Sequence, residues 1–384
     1  MQFEFSTSER ILFGLGYIDQ LGKVASEFRM RALLVTGRSQ TRMAHIFESL
    51  EEHGVVFDRF SVVEEPTIEI VRDGIKHARS RGSEMIISVG GGSVLDVGKA
   101  VAALLTNGGD PLDYVEVIGQ GKQILVPSAP FIAVPTTAGT GSEVTRNAVL
   151  ASLEHRVKVS LRSRHMLPTI ALVDPELTYS LPPDLTASTG MDALTQVLEP
   201  LVSIQPNPIT DGLCREGLQR AAHSLERVYE DGKNESARED MAVTSLFGGF
   251  ALANAKLGAV HGFAGPIGGM YSGPHGAICA QLLPDVMEVN IRALRKRQPT
   301  SEVLVRYDEI GRILCGDPKL GADDGTQWVR RLREQLNIPS LGKYGLNEGD
   351  FHEVIDRASR SSSMKGNPIE LTHEEMEEIL SKAL

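Results

Sequence analysis

The sequence predicts an α/β domain built on a parallel sheet, followed by an all-helical domain. Over the first half of the chain, short apolar runs bounded by glycine or proline alternate with amphipathic helical segments, and this alternation is typical of a parallel sheet. The strand-like runs are RALLVTG (31–37), EMIISVG (84–90), PFIAVPT (130–136) and TIALVDP (169–175). From about residue 184 onward, helical periodicity dominates and β-branched runs nearly vanish. We therefore predict an α/β domain over residues 1–183 and a helical domain over residues 184–384.

Composition excludes several classes of protein. The net charge of −11 argues against a nucleic-acid or anionic-membrane partner. The three cysteines, Cys214, Cys279 and Cys315, lie far apart without CxxC spacing, which argues against disulfides and against a thiolate metal site. No apolar run approaches the length of about 18 residues that a membrane span needs, and no signal peptide is evident. We expect a globular protein of the cytoplasm.

A glycine-rich turn lies in IISVGGGSVLDVGKAVAALL (86–105). A buried strand leads into Gly91, Gly92 and Ser93, and a helix follows. Because a helix N-terminus offers N–H groups without intrahelical partners, such a turn suits a phosphate. The spacing is neither GxGxxG nor a P-loop, and a tight turn without a ligand explains the same residues equally well.

A second loop of this kind, VPTTAGTGSEVTRNAV (134–149), follows another predicted strand. Its hydroxyl side chains are Thr136, Thr137, Thr140 and Ser142. One loop of this type could simply be polar. Two of them at strand ends of one parallel sheet favour a phosphate-bearing ligand, such as a dinucleotide, at the carboxyl edge.

The helical half contains candidate metal ligands. In GMDALTQVLEP (190–200), Asp192 and Gln196 lie one turn apart on one face of an apolar helix. His261 and His275 each lie in an apolar, glycine-rich segment. A single histidine there is more commonly a core residue than a ligand. Two imidazoles and a carboxylate, however, make a competent site for a first-row divalent metal, and a glutamine oxygen could act as a weaker fourth ligand.

Five motifs, in this order, closely resemble the iron-containing (group III) alcohol dehydrogenases over essentially the whole chain: GGGSVLDVGKA, VPTTAGTGSEVT, STGMDALTQVLE, GAVHGFAGPIGG and GPHGAICAQLLP. The resemblance implies a Rossmann-like N-terminal domain, a helical C-terminal domain, and NAD(P) with a divalent metal in the cleft between them. Fe²⁺ is the expected ion, with Zn²⁺ or Mn²⁺ as alternatives. The implied activity is hydride transfer between NAD(P)(H) and a small alcohol, aldehyde or ketone, carried out by a homodimer.

The resemblance also implies roles for individual residues. The cofactor-binding positions are Gly91, Gly92, Ser93, Asp96, Thr136, Thr137 and Lys158, to which the loop residues Thr140 and Ser142 and the strand-end residues Gly37 and Arg38 are added. The metal-binding positions are Asp192, His261 and His275, with Gln196 as a possible fourth ligand. Lys158 is also expected to assist catalysis through its charge.

Three positions depart from the family pattern. Gln196 and Gly265 stand where the family usually has histidines, so we expect weaker metal binding, or an ion harder than Zn²⁺, and no histidine proton relay. The first strand ends at Thr36, Gly37 and Arg38 without the aspartate typical of NAD-preferring members. Because a carboxylate there would repel a 2′-phosphate, its absence favours NADP(H) acceptance, with Arg38 or Arg42 as the partner.

Other functions remain open at this point. A maleylacetate-type reductase would work without metal, and a lyase like dehydroquinate synthase would use the same scaffold without redox chemistry. Such a lyase needs a basic cluster to grip its substrate, but Lys256 stands alone in residues 250–280. A cofactor-binding protein that has lost catalysis would also fit the changes at 196 and 265.

Overall fold

The computed structural model describes residues 2–38, 43–271 and 273–384. The chain divides into two compact units. The first comprises Ser6–Thr137 and Gly141–Tyr179, and the second comprises Met1–Phe5, Ala138–Thr140 and Ser180–Leu384. The predicted fold class is confirmed, since a parallel-sheet α/β unit is followed by a largely helical one. The assignment of the cofactor to residues 1–183 and of metal and substrate to residues 184–384 stays a prediction.

The first unit is built on a six-stranded parallel sheet with the spatial order β1-β8-β5-β4-β2-β3. A separate antiparallel hairpin consists of β6 and β7. The strands are β1 Arg10–Phe13, β2 Ala32–Thr36, β3 Phe57–Ser61, β4 Met85–Gly90, β5 Phe131–Pro135, β6 Asn147–Ser152, β7 Val157–Arg162 and β8 Ile170–Val173. The helices are α1 Leu21–Ser26, α2 Ala44–Glu52, α3 Ile68–Arg81, α4 Gly92–Asn107 and α5 Pro111–Tyr114.

Burial on both faces explains why the central strands are apolar throughout. Leu33 and Ile86 belong to one apolar cluster, whereas their neighbours Leu34 and Ile87 belong to the other. Successive side chains of a strand point to opposite faces, so the two clusters cover the two sides of the sheet. β3 lies at one edge and is partly exposed, which is why its sequence FDRFS carries charges.

The strand order reverses between β2 and β4, which are neighbours in the sheet. From β2 the chain moves outward to β3, and from β4 it moves in the other direction to β5. Such a reversal leaves a crevice outside the carboxyl ends of the strands, where α/β folds bind ligands. The loops after β2, β4 and β5 therefore share this edge. The backbone N–H of Thr136 donates to the carbonyl oxygen of Gly90 at 3.0 Å, which ties two of them together.

A close approach between α4 and β4 fixes the position of the glycine-rich turn. A Cβ atom at Gly98 would lie 1.9 Å from the Ser88 hydroxyl oxygen, so a larger residue there would force the Ser88 side chain to move. The helix axis can therefore run tightly behind the strand that precedes it. This packing sets the direction in which the first turn of α4 points.

The second unit is helical. Its helices are α6 Pro183–Val202, α7 Pro208–Glu230, α8 Glu235–Asn254, α9 Ala259–Met270, α10 His275–Arg297, α11 Glu302–Cys315, α12 Ala322–Gln335, α13 Phe351–Ser359 and α14 His373–Ala383. α6 is buried over most of its length and packs against α7, α8 and α10. Within the described residues, no single helix has the length and apolar character of a membrane span. By those two criteria alone the pair α8 and α9 passes together, with a 95° bend at the break.

Candidate active site

Four potential metal ligands from three helices meet in the second unit. Asp192 lies on α6, His261 on α9, and His275 and Cys279 on α10. One donor atom from each lies within 4.8 Å of the others. The Asp192 Oδ1 atom is 3.6 Å from His261 Nε2 and 3.8 Å from His275 Nε2. The structure thus brings together the carboxylate and both imidazoles named from the sequence, and it adds a thiol that the sequence analysis did not include.

Two buried polar atoms of this cluster have no hydrogen-bond partner among the described residues: Asp192 Oδ1 and His261 Nε2. Their separation of 3.6 Å is too long for a hydrogen bond. A buried polar atom without a partner costs about 1–3 kcal/mol, and more if it is charged. A cation held by both atoms would remove that cost. The donor set therefore fits a divalent metal ion.

Glu199 orients His261 and was missed by the sequence analysis. Its Oε2 atom lies 2.6 Å from His261 Nδ1, and its Oε1 atom accepts the Val260 backbone N–H at 2.7 Å. A carboxylate on one ring nitrogen fixes the other nitrogen as the metal-facing one. The spacing could have identified it, because Glu199 follows Asp192 by seven residues and so lies on the same face of α6.

The two carboxylates at this cluster favour a positive charge between them. Burial acts to lower the pKa of His261, but the carboxylates of Asp192 and Glu199 outweigh it and raise that pKa to about 9. Burial acts to raise the pKa of Asp192, yet His275 and His261 outweigh it and lower that pKa. In the metal-free protein a proton on His261 therefore supplies the positive charge between the two carboxylates. A metal ion would replace that proton.

Gln196 and Gly265 have different surroundings. The Gln196 side-chain amide Nε2 donates to the Thr140 carbonyl oxygen at 2.7 Å, so its nitrogen holds the loop backbone. A Cβ atom at Gly265, one turn after His261 on α9, would meet no atom within 4 Å. The role of Gln196 as a fourth ligand stays a prediction, as does the absence of a relay at 265.

Gly276 lets α10 approach α6 closely enough for the cluster to form. A Cβ atom there would lie 2.1 Å from the Ser188 carbonyl oxygen and 3.2 Å from Asp192 Cβ. Gly276 directly follows His275, so the residue that supplies the close contact adjoins a potential ligand. The separation of α10 from α6 at Gly276 therefore also sets the distance between His275 on α10 and Asp192 on α6.

Replacing Gly276 with alanine is expected to weaken Zn²⁺ binding by about tenfold. The added methyl group overpacks the contact between α10 and α6, which costs about 1–3 kcal/mol, and α10 moves away from Asp192 to accommodate it. Competition with a chromophoric chelator measures the dissociation constant. Gly265→Ala is the matched control, since its new methyl group meets nothing within 4 Å. Wild-type affinity in Gly276→Ala would show that the helix contact does not set the donor geometry.

The cofactor residues named from the sequence lie mainly at the carboxyl edge of the sheet in the first unit. Gly91 is the N-cap of α4, and Gly92 and Ser93 form its first turn. A Cβ atom at Gly91 would lie 3.4 Å from the Thr137 methyl carbon. Gly37 directly follows β2 at the same edge. A helix N-terminus with hydroxyl-bearing residues nearby suits a phosphate group.

Asp96 and Ser142 make their contacts with the protein itself. The Ser142 hydroxyl donates to Asp96 Oδ1 at 2.6 Å, and the Val149 backbone N–H donates to Asp96 Oδ2 at 3.0 Å. The fully buried Lys99 ammonium donates to the hydroxyls of Ser142 and Thr145, both at 2.9 Å. These bonds brace α4 against the loop after β5. Direct roles for Asp96 and Ser142 in cofactor binding stay predictions.

The remaining candidates have other surroundings. The Lys158 ammonium on β7 pairs with the Glu65 carboxylate at 2.7 Å. Thr140 belongs to the second unit by its packing and contributes its carbonyl oxygen to Gln196. Arg38 is exposed directly after Gly37. Arg42 lies outside the described residues.

Comparison with known proteins gives a consistent result. The family "Iron-containing alcohol dehydrogenase" matches residues 8–175, and "Fe-containing alcohol dehydrogenase family, C-terminal" matches residues 186–384. Alcohol dehydrogenase 4 of Saccharomyces cerevisiae (strain YJM789) is 33% identical over 379 residues, covering 97% of this chain and 96% of that protein.

Solved structures agree with this assignment. A crystal structure of a 1,3-propanediol oxidoreductase is 32% identical, with a TM-score of 0.91 over 100% of both chains. Sulfoacetaldehyde reductase from Bifidobacterium kashiwanohense, solved in complex with NAD⁺, is 26% identical, with a TM-score of 0.87 over 100% of this chain and 99% of that one. The chain belongs to the iron-containing alcohol dehydrogenase family and is an oxidoreductase of that type.

Proposed function

We propose that this enzyme interconverts a small alcohol with its aldehyde or ketone by hydride transfer to or from NAD(H), using a divalent metal held by Asp192, His261 and His275. The observation that carries the proposal is the meeting of these three side chains from three helices, with two buried donor atoms that have no hydrogen-bond partner in the described part of the chain. Fe²⁺ is the expected ion, as the resemblance to the family implies. The similarity to alcohol and propanediol dehydrogenases supports the substrate class.

Once bound, the cation would act as a Lewis acid on the substrate oxygen, and the nicotinamide would accept or supply the hydride. Asp192 contributes the negative charge that holds a divalent ion in a buried setting. Glu199 keeps the His261 ring oriented with Nε2 toward Asp192. Glycine at 265 has no group that can carry a proton, so we propose that water moves the hydroxyl proton through the open space there.

The first unit would bind the cofactor. We place its pyrophosphate at the first turn of α4, beside Thr136 and Thr137, because the unpaired N–H groups of a helix N-terminus favour phosphate. The NAD⁺ complex of the sulfoacetaldehyde reductase supports a nicotinamide dinucleotide. Acceptance of NADP(H) is part of the proposal, since β2 ends without a carboxylate and an arginine follows at 38.

Changing Arg38 to glutamate is expected to lower kcat/KM with NADPH by about tenfold, because a hydrogen bond to a charged group contributes about 1.5–3 kcal/mol. The value with NADH should change much less, since NADH lacks the 2′-phosphate. Steady-state kinetics with both cofactors measures the ratio. Lys76→Glu, an equal charge change on the exposed face of α3, is the control. Equal losses with both cofactors would contradict a role for Arg38 in reading the 2′-phosphate.

A homodimer and a cytoplasmic location are also part of this proposal. Its support is the sequence: the family resemblance implies a dimer, and the cysteine spacing predicts a reducing compartment. Sedimentation equilibrium checks the first point directly. A mass near twice 41.7 kDa is the expected result.

One assay tests the function as a whole. NADH and NADPH oxidation is followed with a panel of aldehydes and ketones, first with the metal-loaded enzyme and then after chelation and addition of Fe²⁺, Zn²⁺ or Mn²⁺. We expect turnover that is lost on chelation and restored by an added ion. Full turnover after complete metal removal would favour the maleylacetate-type reductase instead. No turnover with any carbonyl compound would remove the dehydrogenase assignment for this chain.

A further inference from the structure

We propose that Cys279 is the fourth protein ligand of the metal ion, which gives a donor set of one carboxylate, two imidazoles and one thiolate. The inference rests on the proposed function, because it takes as given that the cluster of Asp192, His261 and His275 binds a divalent cation. It replaces Gln196, the fourth ligand expected from the sequence. It also reverses the expectation that this chain has no thiolate metal site.

Position on the helix brings the thiol to the cluster. Cys279 lies four residues after His275 on α10, so both side chains project from one face. The Cys279 Sγ atom is 3.7 Å from His275 Nε2. The sulfur also lies within 4.8 Å of the donor atoms of Asp192 and His261. A cysteine that merely filled core volume would not need to face three other donors.

The donor separations suit a tetrahedral ion. Ligand distances of about 2.0–2.3 Å for nitrogen, oxygen and sulfur place neighbouring donors about 3.3–3.8 Å apart around a tetrahedral Zn²⁺. The measured separations of 3.6, 3.7 and 3.8 Å for three donor pairs fall within this range. Small rotations of the side chains would therefore suffice to close the site around an ion.

Burial supports the same assignment. Cys279 is fully buried, and Asp192 is 2% exposed. The unpartnered atoms Asp192 Oδ1 and His261 Nε2 belong to the cluster that the thiol completes. Cys279 adds a fourth protein donor to the carboxylate and the two imidazoles. The His275 side chain is 36% exposed, so a substrate oxygen could still reach the ion and join it as a fifth ligand, an expansion that catalytic zinc sites make.

Gln196 has contacts of its own. The Gln196 Nε2 atom donates to the Thr140 carbonyl oxygen at 2.7 Å, which orients the side chain. A Cβ atom at Gly248 would lie 3.0 Å from Gln196 Cβ and 3.3 Å from Nε2, so α8 packs closely against this side chain. Gln196 thereby holds the Ala138–Thr140 segment, whereas the Cys279 sulfur lies among the donor atoms of the cluster.

A thiolate makes the site softer and so changes the metal it prefers. Thiolate and imidazole ligands favour Zn²⁺, Fe²⁺ and Co²⁺, whereas oxygen ligands suit Mn²⁺ and Mg²⁺. On binding, the Sγ–metal bond replaces the S–H bond and the proton passes to solvent. We therefore expect the chain to select Zn²⁺ or Fe²⁺ over Mn²⁺, which is opposite to the harder ion expected from an amide oxygen.

Cobalt substitution of the full-length protein tests the assignment without measuring turnover. Metal-free protein is titrated with Co²⁺, and the expected spectrum has an intense near-ultraviolet thiolate-to-cobalt charge-transfer band beside the visible d–d bands. In Cys279→Ser the charge-transfer band should vanish while the d–d bands remain. The Zn²⁺ affinity of Cys279→Ser should fall by at least about tenfold. Replacing a group that only supports a metal ligand already costs this much, and a ligand should cost no less. The Mn²⁺ affinity of this variant should change much less. Cys214→Ser, which alters another fully buried cysteine of the same unit, should keep the band.

A second measurement needs no variant, in case Cys279→Ser fails to fold. X-ray absorption of the Zn²⁺-loaded wild-type protein should show one sulfur at about 2.3 Å with nitrogen and oxygen at about 2.0–2.2 Å. Cobalt bound with d–d bands but no charge-transfer band, or zinc with only nitrogen and oxygen neighbours, would overturn the role of Cys279 and leave the proposed function standing. Failure of the protein to bind Co²⁺ or Zn²⁺ at all would overturn both.

Discussion

Replacing Asp192 with asparagine is expected to lower kcat/KM by at least about a thousandfold, which corresponds to about 4 kcal/mol of lost transition-state stabilisation. Asparagine has nearly the same shape, so the change removes charge and little volume. The carboxylate is the only anionic donor among the three proposed from the sequence, and its Oδ1 atom lies between the two imidazoles at 3.6 and 3.8 Å. Without it, the ion would lose the one carboxylate of the donor set and the negative charge that this group places beside it. Atomic emission measures the loss of bound metal, and steady-state kinetics measures the loss of kcat/KM.

Asp211→Asn is the matched control for this variant. Asp211 is also a buried carboxylate of the second unit, but its partner is Arg306 at 2.8 Å. The control is expected to lower the free energy of unfolding while it retains metal and turnover. Circular dichroism shows whether both variants fold. A folded Asp192→Asn enzyme that kept its metal and its rate would remove Asp192 from the ligand set.

Glu199→Gln is expected to weaken metal binding by between about 10-fold and 100-fold, the usual effect of losing a carboxylate that orients a metal-binding histidine. The carboxylate can only accept, so it accepts the proton of His261 Nδ1 and leaves Nε2 available for the metal. A glutamine amide can donate to Nδ1, which would place the ring proton on Nε2. Chelator competition measures the affinity, and ¹⁵N chemical shifts of the His261 ring report the tautomer. If the role of Glu199 were purely structural, Glu199→Gln would lower the free energy of unfolding and leave the His261 tautomer unchanged.

Glu309→Gln controls for the loss of one carboxylate charge in the same unit. Glu309 is half-exposed and pairs with Arg215 at 2.7 Å, and it takes no part in the cluster. The metal affinity of the Glu309→Gln variant should equal that of the wild type. An unchanged affinity in Glu199→Gln, with His261 still protonated on Nδ1, would show that the carboxylate does not determine which ring nitrogen faces the ion.

The sequence was sufficient to predict the fold class because the buried strands of a two-sided sheet are apolar throughout. β2, β4, β5 and β8 all appear as continuous apolar runs for this reason. β3 was missed in the sequence analysis. As an edge strand it is partly exposed, and its sequence FDRFS shows neither a continuous run nor a clean apolar alternation. The spatial order of the strands depends on long-range pairing, which local pattern does not encode.

Residue type and spacing were enough to name three side chains that the structure brings together. Asp192, His261 and His275 were identifiable because polar or ionisable side chains in apolar helices need partners. Cys279 was not, since a buried cysteine also behaves as a small apolar residue and its relation to His275 is one helical turn rather than a CxxC motif. Asp96 and Ser142 were named as cofactor-binding residues, and that role stays a prediction. Their contacts with the buried Lys99 could not be predicted from the sequence, because they depend on how the loop after β5 packs on α4.

The central claim is that one divalent ion at the cluster of Asp192, His261 and His275 is required for hydride transfer. Metal-free enzyme is titrated with Zn²⁺ or Fe²⁺, and bound metal and carbonyl-dependent NAD(P)H oxidation are recorded at each addition. We expect no activity at the start, a linear rise with bound metal, and a plateau at one ion per chain. Full activity in protein that contains almost no metal would contradict the account.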